Sequence, residues 1–155
     1  MNSLARTSGI DLIIVTVALS QAGSPFAGTW KLNLAKSKFD PGPAPRSSMI
    51  KIDAIEGGER VVTDRVDARG KASHTEFAPV LDGKERAAPN DPNVDTIVNH
   101  MITDHSFLTI RKKGGQVRMI NLTVVSADGK VRTITTVGTD ARGGNVNDVA
   151  VYDRQ

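Results

Sequence analysis

From Phe26 onward, apolar and polar residues alternate in short runs, and turn-forming residues interrupt the runs at close to even intervals. The interruptions are Gly57-Gly58, Arg69-Gly70, Asp82-Gly83, Asn90-Asp91-Pro92, Asp104, Gly114-Gly115, Asp128-Gly129 and Gly143-Gly144. Asp-Gly and Gly-Gly suit tight hairpins, which need positive φ. The intervening stretches are each about one strand long. They are Phe26–Asn33, Met49–Ile55, Arg60–Val66, Ala72–Leu81, Val94–Thr103, Ser106–Lys112, Gln116–Ser126, Lys130–Thr139 and Asn145–Asp153, which predicts nine strands.

Only the connection from Leu34 to Ser48 is long. Its first part, Leu34–Phe39, suits a short helical turn, and Pro41, Pro43 and Pro45 then force an extended path. No other stretch keeps a helical period over ten residues. The pattern predicts an all-β fold: an up-and-down antiparallel β-barrel of about 8–10 strands, with one short helical turn after the first strand. Closing the sheet would remove its two exposed edges. Gln116–Ser126 places Val117, Met119 and Val125 on one face and Ile120, Leu122 and Val124 on the other, so both faces need cover. Pro79 cannot donate to a ladder and marks a gap in pairing within Ala72–Leu81. Composition agrees: Val (16), Ile (11) and Thr (13) far outnumber Leu (8), and β-branched residues favour strands.

The 155 residues support one folding domain. Ahead of it, Arg6, the apolar run Leu12–Leu19 and the small residues Ala18, Ser20 and Ala22 form a signal-peptide pattern. Residues 1–22 are read as a probable signal peptide and 23–155 as the barrel domain, which implies a secreted or periplasmic protein. The apolar run is too short to span a bilayer, which takes about 20 residues.

Charge and composition exclude several classes. There is no Cys, so a thiol nucleophile, a Cys-ligated metal and a disulfide framework are excluded. The net charge of +3 implies no nucleic-acid partner. The densest basic run, Arg111-Lys112-Lys113, lacks the interleaved aromatics that stack on bases and reads as a solvated strand end. No hydrolase motif or phosphate-binding loop is present, and none of the signals calls for a cofactor or metal. His74 and Glu76 share a strand face, and would hold a proton or a polar ligand if that face is inward.

The opening Phe26-Ala27-Gly28-Thr29-Trp30-Lys31-Leu32 resembles the first strand of the calycins. These are the lipocalins, with their Gly-x-Trp, and the fatty-acid-binding proteins, many of which begin Phe-x-Gly-x-Trp-Lys-Leu. The Asp128-Gly129-Lys130 turn and the closing Val149-Ala150-Val151-Tyr152 are similar to fatty-acid-binding-protein segments. The order of GTWKLNLAKSKFDPGPAP, the DGK and DPN turns, RKKGG and the VYD ending resembles small bacterial lipocalin-like proteins over nearly the whole chain from Pro25.

The resemblance implies structural roles for Gly28 and Trp30, with Trp30 at the closed barrel end beneath an arginine. Arg132 is a candidate for that cover. It also implies that Tyr152 orients a ligand head group and that Ala150 faces the same way. Ala150 stands where fatty-acid-binding proteins commonly carry an Arg, so neutral or weakly polar ligands are expected to compete well with fatty acids. Thr103-Asp104-His105 matches the lipocalin Thr-Asp-Tyr only in part.

The leading expectation is a monomeric or weakly dimeric lipocalin-like carrier. It would bind a small apolar or amphipathic molecule through Tyr152, Ala150, Arg132, His74 and Glu76, with no nucleic-acid partner and no stable membrane insertion. Two alternatives stay open: a small barrel enzyme, such as an isomerase or cyclase that uses the cavity, and a structural barrel without ligand.

Overall fold

The computed structural model describes residues 23–56, 58–88 and 91–155. The expected signal peptide, residues 1–22, lies outside the described residues. Among the described residues, ten strands follow one another: β1 (Gly28–Leu32), β2 (Ser47–Ile55), β3 (Gly58–Val66), β4 (Ala72–Phe77), β5 (Asp82–Ala87), β6 (Thr96–Thr103), β7 (Ser106–Lys113), β8 (Gln116–Val125), β9 (Val131–Thr139) and β10 (Asn145–Arg154). One 3-10 turn, Leu34–Lys36, follows β1, and the Asn33 side chain caps it by accepting from the Lys36 N–H.

The strand order is β4-β3-β2-β1-β10-β9-β8-β7-β6-β5, with antiparallel pairing throughout. The first and last strands therefore pair at the centre of the sheet. The sheet curls into an up-and-down half-barrel with β4 and β5 as its edges. Closure is thus less complete than the pattern suggests. The edges are protected by charge instead: Arg60 pairs with Glu76, His74 with Asp64, Arg86 with Asp82 and Lys112 with Glu85. Charged edges discourage further strand pairing.

The tenth strand is β5. Its sequence, Asp82-Gly-Lys-Glu-Arg-Ala87, is polar and almost wholly exposed, so no hydrophobic alternation announces it. Asp82-Gly83 is the start of this strand rather than a hairpin tip. Pro79 falls in the link between β4 and β5, consistent with its inability to donate.

Past Leu32 the chain bulges through the 3-10 turn and rejoins β10. The Lys38 N–H donates to Val149 O (2.8 Å), the Val149 N–H to Lys38 O (2.7 Å), and the Asn147 N–H to Asp40 O (2.8 Å). This return places Phe39 against the core.

Strand β8 carries a bulge at Arg118: Met119 faces Arg111, and Val117 then faces Lys112. The extra residue takes Val117 off the face of Met119, which corrects the simple alternation, and leaves its side chain exposed. Gly138 of β9 lies against this bulge at φ +150°, where an added Cβ would come within 2.7 Å of Met119 Cα and overlap Arg118 O.

The core sits at one end of the half-barrel. Phe26, Trp30, Leu32, Ile50, Ile52, Val61, Val125 and Tyr152 are buried together. Alternation in β2 explains its share: Ser48, Ile50 and Ile52 point in, while Met49, Lys51 and Asp53 point out.

Candidate ligand-binding site

The concave face is closed at the Trp30 end. Trp30 is completely buried and donates its indole N–H to Phe26 O at 2.8 Å. Phe26 meets Phe107 edge-to-face at 5.1 Å between centroids. The Arg154 guanidinium lies 4.1 Å from the Trp30 ring centre and donates to the carbonyls of Pro25, Ala27 and Gly129. Gly28 makes this stacking possible, because at φ +124° its Cβ would collide with the Arg154 guanidinium. The arginine over Trp30 is therefore Arg154, and the expectation for Arg132 is corrected: Trp30 pairs with Arg154 across β1 and β10, whereas Arg132 lies one strand further on.

Residues opposite one another in register share a face, so the concave wall of β6 to β10 can be read in tiers from the closed end to the mouth. The first tier is Tyr152, Arg132 and Val125. The second is Ala150, Ile134, Thr123 and Phe107. The third is Asp148, Thr136, Asn121, Thr109 and Asn99. The fourth holds Val146, Gly138, Met119, Arg111 and Ile97. The wall is not uniformly apolar: a second tier in which Ala150, Ile134 and Phe107 accompany one threonine lies between two more polar ones.

The third tier holds two hydrogen-bonded pairs, one of them reached by Arg111 from the fourth. Thr109 Oγ1 donates to Asn99 Oδ1 at 2.8 Å, Arg111 donates to Asn121 Oδ1, and Asn121 Nδ2 donates to Thr136 Oγ1 at 2.6 Å. Burial pushes the Arg111 pKa down, and the charge of Asp91 partly opposes it. A pocket of about 200 Å³ opens at the mouth, between Asn93, Arg111, Lys113, Arg118, Met119 and Asp140.

In the first tier, Tyr152 is buried and its hydroxyl donates to Ser48 Oγ at 3.3 Å. Arg132 is 5% exposed, yet its Nε and Nη1 have no hydrogen-bond partner among the described residues. Its guanidinium carbon is 5.9 Å from the Phe107 ring centre. Burial lowers the Arg132 pKa to about 10, against favourable charge from Tyr152 and Glu59, so the group is a cation at neutral pH.

The structure thus brings Tyr152, Ala150 and Arg132 onto the concave face and leaves His74 and Glu76 off it. Val61 points into the core, so its neighbours Val62 and Asp64 point outward, and Glu76 and His74 pair with these two. His74 Nδ1 lies 2.6 Å from Asp64 Oδ1, and Arg60 grips Glu76 with bonds of 2.6 and 2.7 Å, all on the exposed outer face. The expectation that these two line the cavity is corrected by strand parity. His74, with Lys31, Met49, Asp64, Val66 and Ala72, instead borders an outer groove of about 460 Å³.

The sequence pattern does not announce Arg154, the third-tier pairs or Arg111. The last was read as part of a solvated run, and only its neighbours behave so: Lys112 pairs with Glu85 and Lys113 with Asp95. The signal was available, because Phe107, Thr109 and Arg111 share one face. Among the described residues, no group of three or more His, Asp or Glu side chains is placed to hold a metal, and no helix is long and apolar enough to cross a membrane.

Ten antiparallel strands in sequence order, a Trp–Arg plug at one end and a polar-apolar concave wall decide the architecture. The fold is similar to that of two solved ligand-binding proteins. A Schistosoma mansoni fatty acid binding protein solved in complex with arachidonic acid is 13% identical, with a TM-score of 0.56 over 85% of this chain and 97% of that one. A zebrafish ileal bile acid-binding protein complexed with cholic acid is 12% identical, with a TM-score of 0.53 over 85% of this chain and 100% of that one. No family model matches the sequence, and no curated protein matches it.

Proposed function

We propose that the concave wall binds a small amphipathic organic molecule and that the protein acts as its carrier. The observation that carries this reading is the wall itself: polar tiers at Arg132–Tyr152 and Asn99–Thr136 flank an apolar tier at Ala150, Ile134 and Phe107. A surface that alternates in this way suits a ligand with both kinds of surface. The two solved proteins named above, with arachidonic and cholic acid bound, support the ligand class by analogy of fold.

Isothermal calorimetry with dodecanoate, dodecanol and cholate tests the proposal. Saturable one-to-one binding of at least one, weakened by Ile134→Asp with the fold intact by circular dichroism, is the expected result. Absence of binding by all three sinks the carrier reading.

We further propose a secreted or periplasmic location, on the Arg6, Leu12–Leu19 and Ala18–Ala22 pattern. Intact mass of the protein recovered from a bacterial periplasm should lack the first 20 to 22 residues. A full-length cytoplasmic product would refute it.

A further inference from the structure

We propose that the outer face of β7–β9 is a docking surface for a second copy of this chain, and that the protein forms a weak two-fold dimer through it. The dimer goes beyond the concave-site reading and does not depend on it, because it uses the opposite face of the sheet.

The outer face has two halves of opposite chemistry. Leu108 stands across from Leu122, and Ile110, Ile120 and Val137 stand in one row. Each is one residue away from a member of the concave wall, so each points outward. Val124 follows Leu122 by two residues and joins them, and Val98 of β6 stands across from Ile110. The bulge at Arg118 adds Val117, which faces the outward Lys112 and is 52% exposed. Val124 and Val137 are also exposed, and Leu108, Ile110, Ile120 and Leu122 are half-buried. Ser106, Thr133 and Thr135, the outward residues beside Val124 and Leu122, carry no charge. On β1–β4 the same outer face carries Lys31, Lys51, Asp53 and the pairs Arg60–Glu76 and His74–Asp64. That half is built to meet water, whereas a contiguous aliphatic half marks a contact surface.

Charge and size select the occupant. The charges that border the patch on β5–β7 cancel in pairs: Lys112 binds Glu85 at 2.6 Å, and Arg86 binds Asp82 at 2.7 Å. An anionic membrane is held by an excess of Lys and Arg, which this border does not offer. A second copy meets neither repulsion nor a mismatch, because a two-fold contact sets the same patch against itself. Four strands ~4.8 Å apart and six residues at ~3.3 Å each make a patch of roughly 400 Å². Two copies would bury about 800 Å² in all, the size of a weak and reversible contact rather than an obligate one. Two such faces pack about 10 Å apart with their side chains interleaved, and both concave walls stay open.

Sedimentation velocity over about 5 to 500 µM protein tests the proposal, with a half-dimer point expected at roughly 50–500 µM for a contact of this size. Raising the salt from about 0.05 to 0.5 M should not weaken the dimer, because apolar contact is not screened. Val124→Lys and Val137→Lys should each raise the half-dimer concentration at least about 10-fold, since each charge enters a two-fold contact twice. Met49→Lys makes the same change at an exposed apolar residue on the charged half of the outer face and should leave the dimer intact. Circular dichroism checks each fold, and if Val137→Lys does not fold, Val117→Lys decides. A monomer throughout the range overturns the proposal, as does a dimer that both patch variants leave unchanged or that Met49→Lys weakens equally. A monomer that floats with phosphatidylcholine–phosphatidylglycerol vesicles, and no longer does so as Val137→Lys, assigns the face to a lipid surface and also overturns it. Calorimetry with dodecanoate, dodecanol and cholate on Val137→Lys should match the wild type, so the carrier reading and the dimer stand or fall separately.

Discussion

Two arginines one strand apart show how much a neighbour decides. Arg154 is fully employed: it stacks on Trp30 and donates to three carbonyls. Gly28 leaves room for it, which gives the Gly-x-Trp spacing a physical cause. Gly28→Ala would both strain the backbone at φ +124° and displace the guanidinium. It should lower stability by about 2 kcal/mol, read as a fall in the denaturant midpoint with unchanged slope. Arg132, by contrast, is buried, and its Nε and Nη1 find no hydrogen-bond partner among the described residues. In the ligand-free protein it costs stability, because desolvation of its charge is not repaid. Arg132→Met keeps most of the volume and removes the charge. The variant should therefore be more stable than the wild type by about 1–3 kcal/mol. Urea denaturation checks this, and a large loss of stability would mean that Arg132 has an internal partner.

At the scale of elements, turns and edges are pinned by carboxylates. Asn33 and Lys36 hold the Asp153 carboxyl below its ordinary value, joining the 3-10 turn to the last strand. The Lys71 and Arg69 N–H groups do the same for Asp67 in the β3–β4 turn. The Gly114 N–H and Lys113 lower Asp95, and Ser126 with the Lys130 N–H lowers Asp128. Each group prefers its charged form more in the folded than in the unfolded chain. Their contribution is therefore complete above the unfolded pKa, 3.8 for Asp, and is lost as pH falls through the lower folded values. The melting temperature should hold from about pH 5 to 8, then drop below about pH 4. Asp153→Asn should melt lower than the wild type at pH 7, and the gap should shrink as pH approaches 2. A gap that is constant with pH would show that the hydrogen bonds, rather than the charge, carry the effect.

Legibility in the sequence follows from how strongly each element is driven by burial. Strands with one buried face, such as β2, announce themselves by alternation. Strand β5 buries almost nothing and passes for a turn. The Arg118 bulge shifts parity by one residue, which alternation alone cannot reveal. Site residues obey the same rule. Tyr152, Ala150 and Arg132 share the concave face because the register is continuous from β10 to β9. His74 and Glu76 fall outside because parity on β3 is set by Val61. Arg154 and Arg111 look like ordinary charges at a chain end and in a basic run. Only the rolled sheet brings one over Trp30 and the other to the concave wall.

For the molecule as a whole, the spacing of the tiers sets what a ligand should look like. Tyr152 and Asp148 of β10, like Arg132 and Thr136 of β9, are four residues apart, which is about 13 Å at a strand rise of ~3.3 Å per residue. A chain lying along the wall from the closed end would pass the second tier and then reach the Asn99–Thr109 and Asn121–Thr136 pairs. A plain alkyl chain there covers the half-buried Asn121 and Thr136 and offers them nothing in return, which costs affinity. A hydroxyl at that distance from the head group exchanges hydrogen bonds with them. At roughly 1.3 Å per methylene, that position is near carbon 10 to 12 of a carboxylate, given the spacing above. 12-Hydroxyoctadecanoate should therefore bind about 5- to 10-fold more tightly than octadecanoate, equivalent to one net hydrogen bond of about 1 kcal/mol or slightly more. Thr136→Val should remove much of that difference and leave the unsubstituted acid unaffected or better bound. Competition of both acids against one fluorescent fatty acid, below their aggregation concentrations, gives the ratio directly. A preference for octadecanoate, or a hydroxyl at carbon 2 that serves as well as one at carbon 12, would show that the third tier does not read the chain.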